Sequence, residues 1–445
     1  MAKQPKAVEI RAFQVGFGDC FLLSFVYSDD DKRHILIDFG TTQLPSVGRP
    51  AKAAKASEYM PRVARKIADV CGKAGLTAVV ATHRHADHIS GFGTDNGTGK
   101  SGDIIKKLAP KVVLQPWTED PEAARKASAA TRDSSRSTKS FVAGLTAMHD
   151  IARMVYDLAQ SRPAWMGRDL QRELSFIGLD NIANRSAVDN LISMGAATEA
   201  NAVWAHHGSP SGLGKHLPGV EISVLGPPDL TQTEKIRKMR KTDPDQFWHL
   251  LGQPAALNVD RPLVPARGGS RKSGRAAPAD ARWFRDRLER LRGEQLLQIV
   301  RQLDDQMNNT SLILLFEVFG KKLLFPGDAQ IENWSYALQD AANASATRKL
   351  LQGVDVYKVG HHGSLNATPR KLLWDSFSKR SKGKTKHLQT LISTLPGKHG
   401  KTQNQTEVPR RPLLEALTEE TDLTTTYKLP IGKNDDLCRL VVVEP

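Results

Sequence analysis

Apolar and polar residues alternate along Val8-Glu9-Ile10-Arg11-Ala12-Phe13, the pattern of a strand with one face buried. The runs Cys20-Phe21-Leu22-Leu23-Ser24-Phe25-Val26 and His34-Ile35-Leu36-Ile37-Asp38 are nearly continuous in apolar character. They read as strands covered on both faces. Gly16, Gly18 and the Asp30-Asp31 pair punctuate them. Residues 57–74 are predicted as a helix, Leu76–Ala81 as the next strand, and Lys111–Pro116 as one more short strand. β structure returns with Ser311–Phe316 and Lys322–Phe325, with a hairpin at Gly320 between them. A helix near 331–342, a strand at 354–359, a helix near 369–376 and strands near 388–394 and 437–443 complete the pattern. The strands come in two batches, each ending with helices. This predicts an α/β (α+β) chain with two stacked sheets and helices outside.

Residues 120–300 differ in character. Pro121–Leu158 is Ala-rich, basic and helix-like, with a Ser-rich interruption at 134–140. A strand-like pair surrounds 202–226. Residues 231–242 and 261–292 are rich in Lys and Arg, and Gly and Ser steps in the second stretch predict a loop leading into a helix. Such a segment is either a solvated insertion or a basic arm over a substrate groove. The chain therefore divides into residues 1–118, a basic insertion at 119–300, and residues 301–445.

Composition narrows the class. With 445 residues, 40% hydrophobic and 25% charged, the chain has the make-up of a globular protein with a sizeable core. No apolar run approaches the roughly 20 residues of a membrane span, and no apolar signal core follows Met1–Lys6. Cys20, Cys71 and Cys438 are too few and too scattered for a disulfide framework. A cytoplasmic setting is the expectation. The net charge of +15 points to nucleic acid or another phosphate-bearing partner.

The chemistry concentrates in Thr82-His83-Arg84-His85-Ala86-Asp87-His88, placed where an apolar strand ends. Neutral imidazoles and a carboxylate suit Zn²⁺, Mn²⁺ or Fe²⁺. His83 and His85, two apart, can address one metal, while Asp87 and His88 turn toward a second. Asp328, in Leu323-Leu324-Phe325-Pro326-Gly327-Asp328-Ala329, ends another apolar strand, where a carboxylate can bridge two cations. Val356-Tyr357-Lys358-Val359-Gly360-His361-His362-Gly363-Ser364 ends a third. One of its histidines can complete a metal shell and the other can contact substrate or donate a proton. Asp38 is read as orienting a metal-bound histidine rather than binding metal.

In this order, Asp38, His83-x-His85-x-Asp87-His88, Gly327-Asp328 and the late His361 resemble the motifs of the metallo-β-lactamase superfamily. Phe13-Gln14-Val15-Gly16-Phe17-Gly18-Asp19-Cys20, Asn309-Thr310-Ser311-Leu312 and Lys358–Ser364 resemble the hydrolase domain of ComEC-type DNA-uptake proteins. The likeness covers residues 8–118 and 301–445. It implies a four-layer αββα sandwich whose two halves are those two segments, as a free-standing relative without a membrane channel. The superfamily usually has another His just before the Ser that opens the strand preceding Gly-Asp. Here Asn308-Asn309 stands there, which suits Mg²⁺, Mn²⁺ or a substrate phosphate better than Zn²⁺.

The resemblance implies a metal-dependent phosphodiesterase or nuclease using one or two divalent ions, Zn²⁺ or Mn²⁺, with Mg²⁺ as a further option. His83, His85, Asp87, His88, Asp328 and His361 would hold the metal. Asp87 would also take a proton from water, and His362 would protonate the leaving oxygen. Asn309, Ser311, Lys358 and Ser364 would cradle the phosphate. His207, in His206-His207-Gly208-Ser209, echoes residues 361–364 and is assigned to substrate contact. The alternatives are hydrolysis of a small phosphorylated or ester substrate (cyclic nucleotide, phospholipid head group, lactone or thioester), or a catalytically silent subunit of a larger assembly.

Overall fold

A computed structural model describes residues 3–120, 185–235 and 307–445, apart from breaks at 48–51, 54, 96, 98, 198, 234, 384–386, 398–399, 401–406 and 432–436, with isolated positions between 157 and 174. The Ala-rich stretch that begins at Pro121 lies almost wholly outside the described residues, and the Arg-rich stretch at 261–292 lies wholly outside them.

The described chain is mixed α/β, built on two mixed sheets. Its strands are β1 (Ala7–Phe13), β2 (Cys20–Val26), β3 (Lys32–Phe39), β4 (Ser46–Val47), β5 (Lys52–Ala53), β6 (Ala78–Val80), β7 (Val112–Pro116), β8 (Asn201–Ala205), β9 (Val220–Gly226), β10 (Ile313–Val318), β11 (Lys321–Phe325), β12 (Val356–Lys358), β13 (Gln389–Ile392), β14 (Asp422–Thr425) and β15 (Cys438–Val443). The helices are α1 (Ala56–Cys71), α2 (Ala86–Ile89), α3 (Ser101–Lys106), α4 (Arg185–Gly195), α5 (Ile331–Ser335), α6 (Ala344–Gln352) and α7 (Arg411–Glu420).

The first sheet has the order β15-β1-β2-β3-β6-β7-β8, the second β14-β13-β12-β11-β10-β9, and β4-β5 form a small separate pair. Each large sheet is antiparallel at one end and parallel at the other. The parallel ladders run through β3, β6, β7 and β8 in one sheet and through β11, β12, β13 and β14 in the other.

Period-two patterning sorts the core into layers. Val8, Ile10, Leu23, Ile35, Ile37 and Val80 of the first sheet share one apolar cluster with Leu314, Phe316, Leu323, Phe325, Val356 and Leu391 of the second. The opposite face of the first sheet, Leu22, Leu36, Val79 and Val113, packs on Val63, Ile67 and Leu191 from α1 and α4. The opposite face of the second, Leu315, Leu324 and Tyr357, packs on Trp334, Leu351, Leu413 and Leu417 from α5, α6 and α7. Each fully buried Leu or Phe contributes about 1.5–3 kcal/mol to folding. The hairpin between β10 and β11 turns through Phe319 (φ 39°) and Gly320 (φ 81°), the two positive φ values that suit the twist of paired strands.

The structure corrects several expectations. The strand-like pair near 202–226 is not a unit of an insertion, because β8 extends the first sheet beside β7 and β9 extends the second beside β10. The segment 119–300 therefore contributes to both sheets. The helix expected at 369–376 is one wide turn, in which Pro369 O accepts from both Leu373 N and Trp374 N, followed by a 3₁₀ turn at Trp374–Ser376. The helix expected at 331–342 passes from α5 into a π turn at Tyr336–Asp340. Helix α7 and strand β14, absent from the sequence reading, fill residues 411–425.

Candidate metal centre

The chemistry-bearing residues follow the C-terminal ends of parallel strands in both sheets, where open α/β sheets place their sites. Asp38 closes β3, His83–His88 follow β6, Asp328 follows β11, His361 and His362 follow β12, and Ser393 follows β13. Two glycines allow the approach. A Cβ on Gly40 would fall 2.4 Å from the Asp87 carbonyl carbon, and one on Gly327 (φ 54°) would fall 2.8 Å from the Thr82 Cβ. Among the described residues the non-glycine positions with positive φ are Asp38, Ala109, Phe319, His361 and His362. Three of these five belong to the site. Such conformations cost about 1–3 kcal/mol each and persist where surrounding structure imposes them.

Asp87, His88, Asp328 and His362 bring one donor atom each within 4.8 Å of one another, and all four are buried. His88 Nε2 lies 3.0 Å from Asp328 Oδ2, and His362 Nε2 lies 2.7 Å from Asp87 Oδ2. Both rings are held from behind. His88 Nδ1 donates to Asp38 Oδ2 at 2.8 Å, and His362 Nδ1 donates to Ser393 O at 2.8 Å. This fixes the tautomer that turns Nε2 inward. Asp38 is itself held by Thr82 N (2.7 Å) and Thr82 Oγ1 (2.8 Å).

A second set, His83, His85 and Asp87, also lies within 4.8 Å and shares Asp87. His83 Nε2 is 3.0 Å from His85 Nδ1. The loop carrying both is anchored by Arg84, whose guanidinium Nε lies 2.9 and 2.8 Å from the two Glu119 oxygens.

The electrostatics favour a cation. Asp19, Asp38, Asp87 and Asp328 are buried together with a single buried ammonium, Lys358, among the described residues. Each buried ion costs several kcal/mol unless it is compensated. Burial by itself would lower the pKa of His88 and His362. The carboxylates of Asp328, Asp87 and Asp38 outweigh it at His88, and those of Asp328, Asp19 and Asp87 at His362, so both are raised. A cation among these carboxylates would provide the same balance. His83 and His85 go the other way. Burial, reinforced by the charge of His88, pushes His83 well down and His85 to about 4, which keeps them neutral and ready as ligands. Asp87 Oδ1 and Asp328 Oδ1 are buried and make no hydrogen bond among the described residues. Orphaned donor atoms with compensating charge missing fit a divalent cation held by oxygen and nitrogen.

The two adjacent histidines both lie beside Asp328, each with Nε2 3.7 Å from its Oδ2. His362, assigned to proton transfer, is the one within the four-donor set. His361, assigned to the metal, has its side chain 19% exposed and its Nε2 3.7 Å from Asp328 Oδ2. The left-handed φ values of 44° and 52° at these positions turn the second ring inward. Asp87 is also a poorer base than expected: burial raises its pKa, but His88 and His362 more than offset this and hold it well below the usual carboxylate range.

Of the residues expected to cradle a phosphate, Lys358 and Asn309 have partners within the chain. Lys358 is buried, with its ammonium against Asp19 Oδ2, 3.1 Å from Gly327 O and 3.5 Å from Asp328 Oδ1. It is an internal counter-ion. Asn309 Nδ2 donates to Glu332 Oε2 at 3.2 Å. Ser311 and Ser364 are buried near the strand ends, their hydroxyls making no hydrogen bond among the described residues. His207 is committed elsewhere, with Nδ1 2.8 Å from Leu225 O and Nε2 3.2 Å from Asn343 Oδ1.

Asp19 and Phe17 were not assigned roles from the sequence. Asp19 Oδ1 lies 3.5 Å from His362 Nδ1, and the Phe17 ring centroid is 4.5 Å from that of His362. The signal was present in Phe13–Cys20, read there as part of the family resemblance with Gly16 and Gly18 as punctuation between strands. Compared with family models and with curated protein sequences, the chain matches none.

Proposed function

We propose that the protein is a metal-dependent hydrolase of metallo-β-lactamase type that cleaves phosphodiesters, with nucleic acid as the substrate class. The convergence of Asp87, His88, Asp328 and His362 in a buried site short of positive charge carries this reading. The stacking of three apolar clusters supports the αββα sandwich. The net charge of +15 favours a polyanion over a neutral ester.

Asp87, His88, Asp328 and His362 would hold one ion, and His83 and His85 with Asp87 are the donors for a second. A bound divalent cation supplies Lewis acidity, polarising a phosphoryl oxygen and making water a stronger acid near neutral pH. Asp38, Ser393 and Thr82 keep the inward imidazole nitrogens aimed. His361, at the solvent edge, is the residue to contact the phosphate or the leaving oxygen.

The test is metal content, followed by incubation with single-stranded DNA, duplex DNA, RNA and bis-p-nitrophenyl phosphate in Zn²⁺, Mn²⁺ and Mg²⁺. Cleavage of a polymer and of the small diester, lost in Asp328→Ala, is the expected result. Turnover of the small diester alone would overturn the nucleic-acid assignment, and no turnover in any metal would overturn the hydrolase.

A further inference from the structure

We propose that Lys358 is a positioning residue that makes Asp328 a one-sided ligand, so that the centre holds one divalent cation tightly rather than two. The inference rests on the metal-centre reading above.

The two oxygens of Asp328 have different surroundings. Oδ2 faces the imidazoles: His88 Nε2 at 3.0 Å, His361 Nε2 at 3.7 Å and His362 Nε2 at 3.7 Å. Oδ1 faces the Lys358 ammonium at 3.5 Å. That ammonium is fixed on two other sides, by Asp19 Oδ2 and by Gly327 O at 3.1 Å. Asp19 is anchored in turn, since its N donates to Asp87 O at 2.9 Å and its O accepts from Gly40 N at 3.0 Å. Asp19 and Lys358 are 0% and 2% exposed at the side chain, so water does not screen the pair.

A carboxylate that bridges two cations presents one oxygen to each. Here the second oxygen already faces a positive charge built into the chain. The other potential cation set, His83, His85 and Asp87, is left with three donors among the described residues, one of which it shares with the first set. A third grouping, Asp19, Asp38 and His88, is compensated from within, by Lys358 on Asp19 and by Thr82 and His88 Nδ1 on Asp38.

The test counts metal in the full chain. Mn²⁺ is titrated in and followed by EPR, with bound metal measured by mass spectrometry after dialysis. One tight equivalent is expected, with a second at least about a hundredfold weaker, the upper end of what outer contacts to ligands carry. The variant Asp19→Asn with Lys358→Met removes one negative and one positive charge together and leaves the net charge of the cluster unchanged. It should bind its first ion ~10–100-fold more weakly and take a second at similar affinity, seen as a spin-coupled Mn²⁺ pair. Two equally tight ions in the wild type, or a variant that keeps the wild-type pattern, would overturn the inference while leaving the metal centre standing. No bound metal at all would overturn the metal centre as well. If the double variant does not fold, the wild-type stoichiometry decides alone.

Discussion

The chain carries the tetrapeptide His-His-Gly-Ser twice, at 206–209 and at 361–364, and the two copies end in different chemistry. Each follows a strand, β8 at a sheet edge and β12 inside a sheet. In each, the second histidine is buried and its Nδ1 lies 2.8 Å from a backbone carbonyl, Leu225 O for His207 and Ser393 O for His362. In each, Gly follows at positive φ, 79° and 85°. The difference lies at Nε2. His207 meets the neutral amide of Asn343 at 3.2 Å beside the Tyr336 ring. His362 meets the Asp87 carboxylate at 2.7 Å, with Asp19 and Asp328 near by. The same motif is thus a structural pin in one place and a candidate ligand in the other. What separates them is the charge the fold brings to the imidazole, which no four-residue pattern contains.

The largest test of that contrast is a matched pair of substitutions. His362→Ala should lower phosphodiester turnover by about 10²-fold or more. His207→Ala should leave turnover unchanged and cost about 1–3 kcal/mol of stability through the carbonyl left without its donor, measured by urea unfolding. Equal loss of activity in both would erase the distinction.

Chelation is next. On the proposed reading, removing the divalent ion would leave Asp19, Asp38, Asp87 and Asp328 with Lys358 as the one buried ammonium beside them among the described residues. At metal a thousandfold above Kd, its loss should cost about 4 kcal/mol, read by calorimetry with and without chelator. His207→Ala should show the same drop, and His362→Ala a much smaller one.

A third histidine extends the comparison to pH. His34 has the Ser24 hydroxyl at 2.8 Å from Nδ1, and burial, reinforced by the charges of Arg11 and Lys32, pushes it down to about 4, opposite in direction to His362. The fold favours neutral His34, whereas the unfolded chain takes up a proton at about 6.5. The stability it confers is therefore full above about pH 6.5 and declines as pH falls toward 4, by at most about 3 kcal/mol. Unfolding midpoints of metal-free wild type and His34→Gln between pH 7.5 and 4.5 should diverge by that slope; parallel curves would show that His34 titrates normally.

Much of the fold was legible because strand patterning is local. The strands predicted from residues 8–39 and 311–325 match β1–β3 and β10–β11 closely, since period-two alternation and apolar runs record burial directly. The segment 202–226 was legible as strands but not as members of two different sheets, because pairing is decided by partners far away in sequence. Helix α7 escaped notice because Arg411–Glu420 is only ten residues long and buries just Leu413 and Leu417. In the site, His83, His85, Asp87, His88, Asp38 and Asp328 were legible as donor residues placed at strand ends. The choice between His361 and His362 was not, since it depends on two left-handed backbone conformations. Nor was Lys358, whose role is set by Asp19, a residue more than three hundred positions earlier.

By itself, then, the sequence determined which ligand-type side chains stand where apolar strands stop, because residue type and burial pattern are written residue by residue. Only the tertiary structure decided which of them meet. The parallel ends of two sheets set Asp87 and His88 against Asp328 and His362, and Asn343 against His207. Charge in a buried site is a sum over neighbours, and neighbours are a property of the fold.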